Sequence, residues 1–382
     1  MTMSTAPLSG VRVLELAQNL AGPYAALILA DLGADVVKIE QPGGDAARAW
    51  GPPFVGDAGA IFAIANRGKR SIELDITTEA GADTLRQLIA RTDIVIEAFR
   101  PGALERMGFG YGAVHAWNET VIYCSVLAYG TEGPLRELPG YDPLMQAHAG
   151  MMSNTGDARP ARVGTSVVDM GTGMWLAIAV LTALRERAAT GAGTQLSVAL
   201  YDTALAWNAY HLAATVDTGY VPAPMGTEMP MIAPYGAFPT ADGELMIAAA
   251  NDVLFRRLCT ALSLHELLQD QRLSTNPSRV TQRAELNRII SAATARYATA
   301  ALIAVLRDAG VPCAPIQDMA EVVRDEQTRA SGMIVSDEGG TTLRLPIRFG
   351  GSRPDAGTPA PAAGAHTAQL LDELKSVVRD RR

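Results

Sequence analysis

The sequence predicts an α/β protein whose N-terminal part is a doubly wound parallel layer, and three observations carry that expectation. VRVLELA from Val11, ADVVKIE from Ala34 and DIVIEAF from Asp93 are short apolar or alternating runs of strand length. YAALILADLG, between the first two, is apolar at helical spacing and closes at Gly33. Strand, helix and strand in succession bring a right-handed crossover and a parallel sheet.

The remaining elements follow the same alternation. SIELDI reads as the third strand, ADTLRQLIARTD as the helix before the fourth, and VIYCSVLAYG as the fifth. Ligand groups are then expected in loops at the carboxyl ends of the strands. From Gly171 to Thr215 the pattern turns helical: MWLAIAVLTALRERAATG, a short QLSVAL strand, then YDTALAWNAYHLAA. GYVPAPMGTEMPMIAPYG has little periodicity and reads as a connection to a second domain. GAFPTADGELMIAAA has the pattern of a hairpin turning at Asp242-Gly243, and amphipathic helices follow to about Leu306. The last helix, AQLLDELKSVVRD, carries an apolar stripe that needs a docking surface.

Composition narrows the function. With 382 residues the chain exceeds what one core usually serves, so two domains are expected. A net charge of −8, with Arg67, Lys69 and Arg70 as the one cationic cluster, argues against nucleic acid as a partner. Cys124, Cys259 and Cys313 are odd in number and far apart, as core thiols of a reducing compartment would be. The start lacks a leader pattern, and the apolar run Met174 to Leu184 is short for a bilayer, so a cytoplasmic protein without a membrane partner is expected.

Familiar catalytic motifs are missing. A dinucleotide fold would need G-x-G-x-x-G after the first strand, where QNLAGPYA offers one glycine followed by proline. NAD or nucleotide binding is thus the weaker alternative, and Glu40, at the place of a ribose-binding acid, reads as a solvated strand end or a hydrogen-bond anchor. No Walker loop, H-E-x-x-H or G-x-S-x-G is present, and the five histidines lack ligand spacing, so no metal is expected.

Several blocks, in order, do carry a resemblance. PLSGVRVLELAQNLAGPYAALILADLGADVVKIEQPGGDAAR, NRGKRSIELD, EAFRPGALERMGFGY, GTEGP, PGYDPLMQAHAG and VGTSVVDMGTG resemble the family III CoA-transferases, as do APYGAFPTADGELMIAAAND, GVPCAPI and APAAGAHTAQLLDEL. That family includes formyl-CoA and carnitine CoA-transferases, with α-methylacyl-CoA racemases as divergent relatives. The resemblance implies a Rossmann-like large domain plus a small α+β domain, in ring-shaped monomers interlocked as a homodimer. The large CoA-binding domain would span 1–200, completed by 340–382; 201–225 would be a linker, 226–330 the small domain, and 331–382 the return linker and C-terminal helix.

The resemblance also implies chemistry: coenzyme A moves from an acyl-CoA donor to a carboxylic acid acceptor, with Asp169 as nucleophile through aspartyl anhydride and aspartyl-CoA thioester intermediates. A carboxylate attacks only while ionised, and a place just before a helix offers it backbone N–H groups and the positive helix end. Gly171 and Gly173 would leave room for a substrate. The same placement is that of a plain helix N-cap. Arg106, Met107, Ala98, Phe99, Leu74 and Tyr141 would line the CoA site, with Asn19 and Leu20 near the reactive end. Leu20 replaces a glutamine and Pro139 a lysine of some members, departures that bear on acyl recognition. MGTEMP around Gly226 is the candidate lid, reduced to one glycine. The racemase alternative needs a histidine in G-H-D, where this chain has Tyr141; His148, seven residues on, does not match the motif.

Overall fold

The computed structural model describes residues 6–337 and 340–380, and the chain forms two compact units. The larger comprises 1–149, 164–209 and 326–382; the smaller comprises 150–163 and 210–325. Helices Leu200–Trp207 and Ala209–Thr218 occupy most of the stretch expected as a linker, because YDTALAWNAYHLAA keeps helical spacing throughout.

In the larger unit the elements run β1 Arg12–Leu16, α1 Ala21–Asp31, β2 Asp35–Glu40, α2 Ala60–Ala65, β3 Arg70–Glu73, α3 Glu79–Ile89, β4 Ile94–Glu97 and α4 Ala103–Arg106. Next come α5 Tyr111–Trp117, β5 Ile122–Leu127, α6 Asp142–His148, α7 Val167–Thr190, β6 Thr194–Ala199 and α8 Leu200–Trp207. All six strands are parallel, in the order β3-β2-β1-β4-β5-β6. The order reverses between β1 and β4, and ligands of such sheets bind at that reversal, outside the carboxyl ends of the strands.

Leu14, Ile72, Leu85, Ile89, Val95 and Val114 form one core of this unit. Elsewhere α1 packs along α7, with Ala25, Ala26 and Leu29 fully buried. By length and composition α7 could cross a membrane, but a helix of a globular core passes the same test. The C-terminal helix Thr367–Asp380 buries Leu370 in the same core as Ile72. Its start also pairs the outer strand, since His366 Nδ1 accepts from Ser71 N (3.1 Å) and Thr367 Oγ1 from Glu73 N (3.2 Å). A strand edge left bare would be a template for aggregation.

The smaller unit holds an antiparallel sheet of Tyr235–Pro239, Glu244–Ala248 and Cys313–Pro315. The expected hairpin is present, with Phe238 opposite Leu245 and Thr240 N donating to Gly243 O at 2.8 Å. Its core gathers Phe238, Leu258, Ile290, Leu302 and Leu306.

Candidate active site

At the sheet's reversal point the chain leaves β1 through the turn 17–20 and leaves β4 through 98–101. Between these lies a cavity of about 580 Å³, and Asn19, Leu20, Ala98, Phe99, Tyr141 and Asp169 all line it. A second cavity, of about 350 Å³, shares Leu16, Gln18 and Phe99 with the first and adds Leu74, Ile76 and Met107. The two share part of one wall, with Asp169 lining the first and Leu74, Ile76 and Met107 among the residues lining the second. Arg106 lies apart: it is exposed on α4 and lines neither cavity, whereas Arg100 lines the first. Both arginines stand in the block EAFRPGALERMGFGY, and sequence alone could not rank Arg100 above Arg106.

Asp169 is half-buried in the first turn of α7, not ahead of it. The amides expected to serve it are held by Asp142, whose Oδ2 accepts from Val168 N (2.8 Å) and Asp169 N (3.3 Å). Gln146 Nε2 donates to the other oxygen at 2.6 Å. Ser166, at the cap position, makes no side-chain cap bond, so Asp142 acts as an N-cap supplied by α6. The positive end of α7 still favours an anion at Asp169.

The two glycines have a different role from the one expected. A Cβ on Gly173 would stand 2.7 Å from Ala21 O and 3.0 Å from Ala25 N, and one on Gly171 would stand 2.7 Å from the Trp207 ring. They permit close packing against α1 and α8 and do not open a path for substrate. His148 likewise belongs elsewhere: its ring packs on Tyr129 and Tyr201, with Nδ1 3.3 Å from Tyr129 Oη, and it does not line the cavity. Gly226 lies in the smaller unit with φ +60, its N–H donating to Gly156 O at 2.6 Å.

Sequence reasoning missed a set of charges beneath the turn 17–20 and the start of α1. Glu15, Lys38, Asp45 and Lys69 are all at most 3% exposed. Glu15 receives Lys38 Nζ on one oxygen (2.9 Å) and Lys69 Nζ on the other (2.6 Å). Burial opposes its ionisation, but the two ammoniums outweigh that and hold its pKa below the ordinary carboxylate value. Burial also lowers both lysines; Glu15 and Asp45 together carry Lys38 back above its usual value, whereas Lys69 is pushed down to about 8. The available signal was a charge inside each apolar strand run, VRVLELA and ADVVKIE. Of the cationic cluster Arg67 and Lys69 are buried, Arg67 paired with Asp31, while Arg70 is partly exposed and pairs with Asp35 and Glu373. Glu40 is an anchor, buried and bonded to Arg48, Ser71 Oγ and Asp45 N.

Comparison with known proteins shows the family. The model of CoA-transferase family III matches residues 8–367. A protein of Agrobacterium fabrum named succinate–glutarate CoA-transferase is 39% identical over 98% of this chain and 97% of its own length. Human succinyl-CoA:glutarate CoA-transferase is 34% identical over 96% of this chain and 86% of its own. The crystal structure of a CaiB/BaiF family protein from Brucella suis superposes with a TM-score of 0.88 at 40% identity, covering 97% of this chain and 100% of that one. The chain is a transferase and belongs to CoA-transferase family III.

Proposed function

We propose that this protein moves coenzyme A between dicarboxylic acids, with Asp169 as the nucleophile. The observation that carries the reading is the position of Asp169 on the wall of the cavity at the sheet's reversal point. The names of the relatives, which act on succinyl-CoA and glutarate, support a C4 or C5 dicarboxylate class.

The steps balance without an outside reagent. An Asp169 oxygen attacks the donor thioester carbon, the C–S bond breaks, and CoA leaves as thiolate beside a mixed anhydride. The thiolate attacks Cγ of Asp169, releasing the donor acid as carboxylate and leaving aspartyl-CoA thioester. An acceptor carboxylate attacks Cγ and expels the thiolate, which then attacks the acceptor's acyl carbon. Asp169 returns as carboxylate and the new acyl-CoA departs. Both intermediates hydrolyse in water, so water must be kept from the cavity during turnover. In this reading Asn19 and Leu20 face the thioester, Ala98, Phe99 and Tyr141 the pantetheine arm, and Leu74 and Met107 the adenine. Arg106 would meet a phosphate from the exposed rim. The working unit is a homodimer.

The test is transfer of CoA from succinyl-CoA to glutarate, with Asp169→Asn as control. An amide is a poor nucleophile, so activity is expected to fall by roughly a thousandfold or more. Hydroxylamine should trap Asp169 in the wild type during turnover. Undiminished transfer by Asp169→Asn would overturn the reading.

A further inference from the structure

The turn 17–20 and the start of α1 line one wall of the cavity, and Asn19 on the turn adopts φ +68, the left-handed region that asparagine enters more readily than most residues. The buried charges hold this segment at three backbone points. Lys38 Nζ donates to Ala17 O at 2.7 Å, Lys69 Nζ to Pro23 O at 2.9 Å, and Asp45 Oδ1 accepts from Asn19 N at 3.4 Å.

We propose that Glu15, Lys38, Asp45 and Lys69 are positioning residues for thioester exchange, fixing the turn against which the reacting end of CoA lies opposite Asp169. The inference rests on the CoA-transferase reading above and adds to it a part of the chain that touches no substrate.

Donor counting gives the arrangement its sensitivity. An ammonium has three N–H groups and no acceptor. Lys69 uses all three, on Glu15 Oε2, Pro23 O and Asn66 Oδ1. Lys38 faces Glu15 Oε1, Ala17 O and, as a charge contact at 2.9 Å, Asp45 Oδ2. A neutral amine at Lys69 would keep two donors for three acceptors, leaving one oxygen opposite a lone pair. The groups facing Lys69 are Glu15 from β1, Lys38 from β2, Asp45 from the following loop, Asn66 after α2 and the Pro23 carbonyl in α1.

This makes turnover and stability respond to pH in opposite directions. Folded Lys69 sheds its proton near pH 8, whereas the unfolded chain keeps it to about 10.5. Between those values the unfolded state binds more protons, so this group makes stability rise with pH. Turnover is expected to fall over the same range as the turn loosens. Ionisation of the CoA thiol works the other way, because the thiolate is the attacking species.

Asp45→Ala removes the acceptor shared by the Asn19 and Ala47 N–H groups and the second carboxylate of Lys38. Per folded active site, counted by hydroxylamine trapping, kcat is expected to fall roughly tenfold to a hundredfold, since small misplacements at a reacting centre are that costly. KM for acyl-CoA should stay within about threefold, because the second cavity, proposed above for the adenine, is lined by neither Asn19 nor Asp45. Asp45→Asn keeps an oxygen acceptor and should regain about a factor of ten. Wild-type turnover per folded site in Asp45→Ala would overturn the proposal. Should that variant not fold, the wild type decides: kcat falling through about pH 8 without a fall in melting temperature supports positioning, and kcat flat to about pH 9.5 overturns it. Transfer that is present in the wild type and absent in Asp169→Asn shows that the underlying reading stands in either case.

Discussion

Asp142 and Asp169 show how far single residues could be assigned from sequence. Asp169 could be singled out as a candidate because it stands in a block of motif residues at a helix start, and it does line the cavity. Asp142 was not, because its role depends on a contact across 26 and 27 positions of chain that no local pattern encodes. Two aspartates thus meet at one helix end: Asp142 satisfies backbone donors and Asp169 lines the cavity. Asp142→Ala would leave the Val168 and Asp169 amides without that acceptor inside the protein. The expected cost is about 2 kcal/mol, the upper range for a lost cap, read as a melting temperature lower by several degrees. Asp142→Asn, which keeps one acceptor oxygen, should recover most of it. An unchanged melting temperature in Asp142→Ala would show that the cap contributes nothing.

Among elements, the parallel sheet and most helices were readable from apolar period, while their purposes were less so. The glycines of MGTG suggested space for a ligand, and instead they set the distance between α7 and its neighbours. Period cannot distinguish a glycine facing solvent from one facing another helix. The buried charges of β1 and β2 were similarly hidden, since a strand of alternating residues usually turns its polar side outward. The two glycines give a graded test. Alanine in a helix interior gains about 1 kcal/mol over glycine by propensity alone. At Gly173 the added methyl meets backbone atoms of α1, which cannot yield without moving the helix that follows the 17–20 turn. Gly173→Ala is therefore expected to destabilise by about 1–3 kcal/mol and to reduce turnover. At Gly171 the neighbour is the Trp207 side chain, half-exposed and able to shift, so Gly171→Ala should cost less in both. Chemical denaturation of the two variants checks the order, and a larger loss at Gly171 would contradict it.

At the scale of the whole molecule, the open question is what covers α7. Its inner face buries Val168, Leu176, Ala177, Val180 and Ala183, yet Met174, Trp175, Ile178 and Leu181 on the same helix are 38–51% exposed. Four large apolar side chains in a row along one helix mark a protein interface more often than a solvated surface. The homodimer proposed above supplies a second copy as the occupant. If the two rings are interlocked, as the resemblance implies, the subunits cannot part while folded. Dilution would then leave the dimer intact, and dissociation would accompany unfolding in one transition. Ile178→Asp places a charge in the stripe. In an interlocked dimer it should lower the melting temperature without yielding a folded monomer, whereas two separable subunits would release one. Sedimentation velocity at decreasing concentration distinguishes these outcomes. A folded, circular-dichroism-normal monomer from Ile178→Asp would remove interlocking while leaving the interface, and an Ile178→Asp dimer of unchanged stability would remove the interface itself.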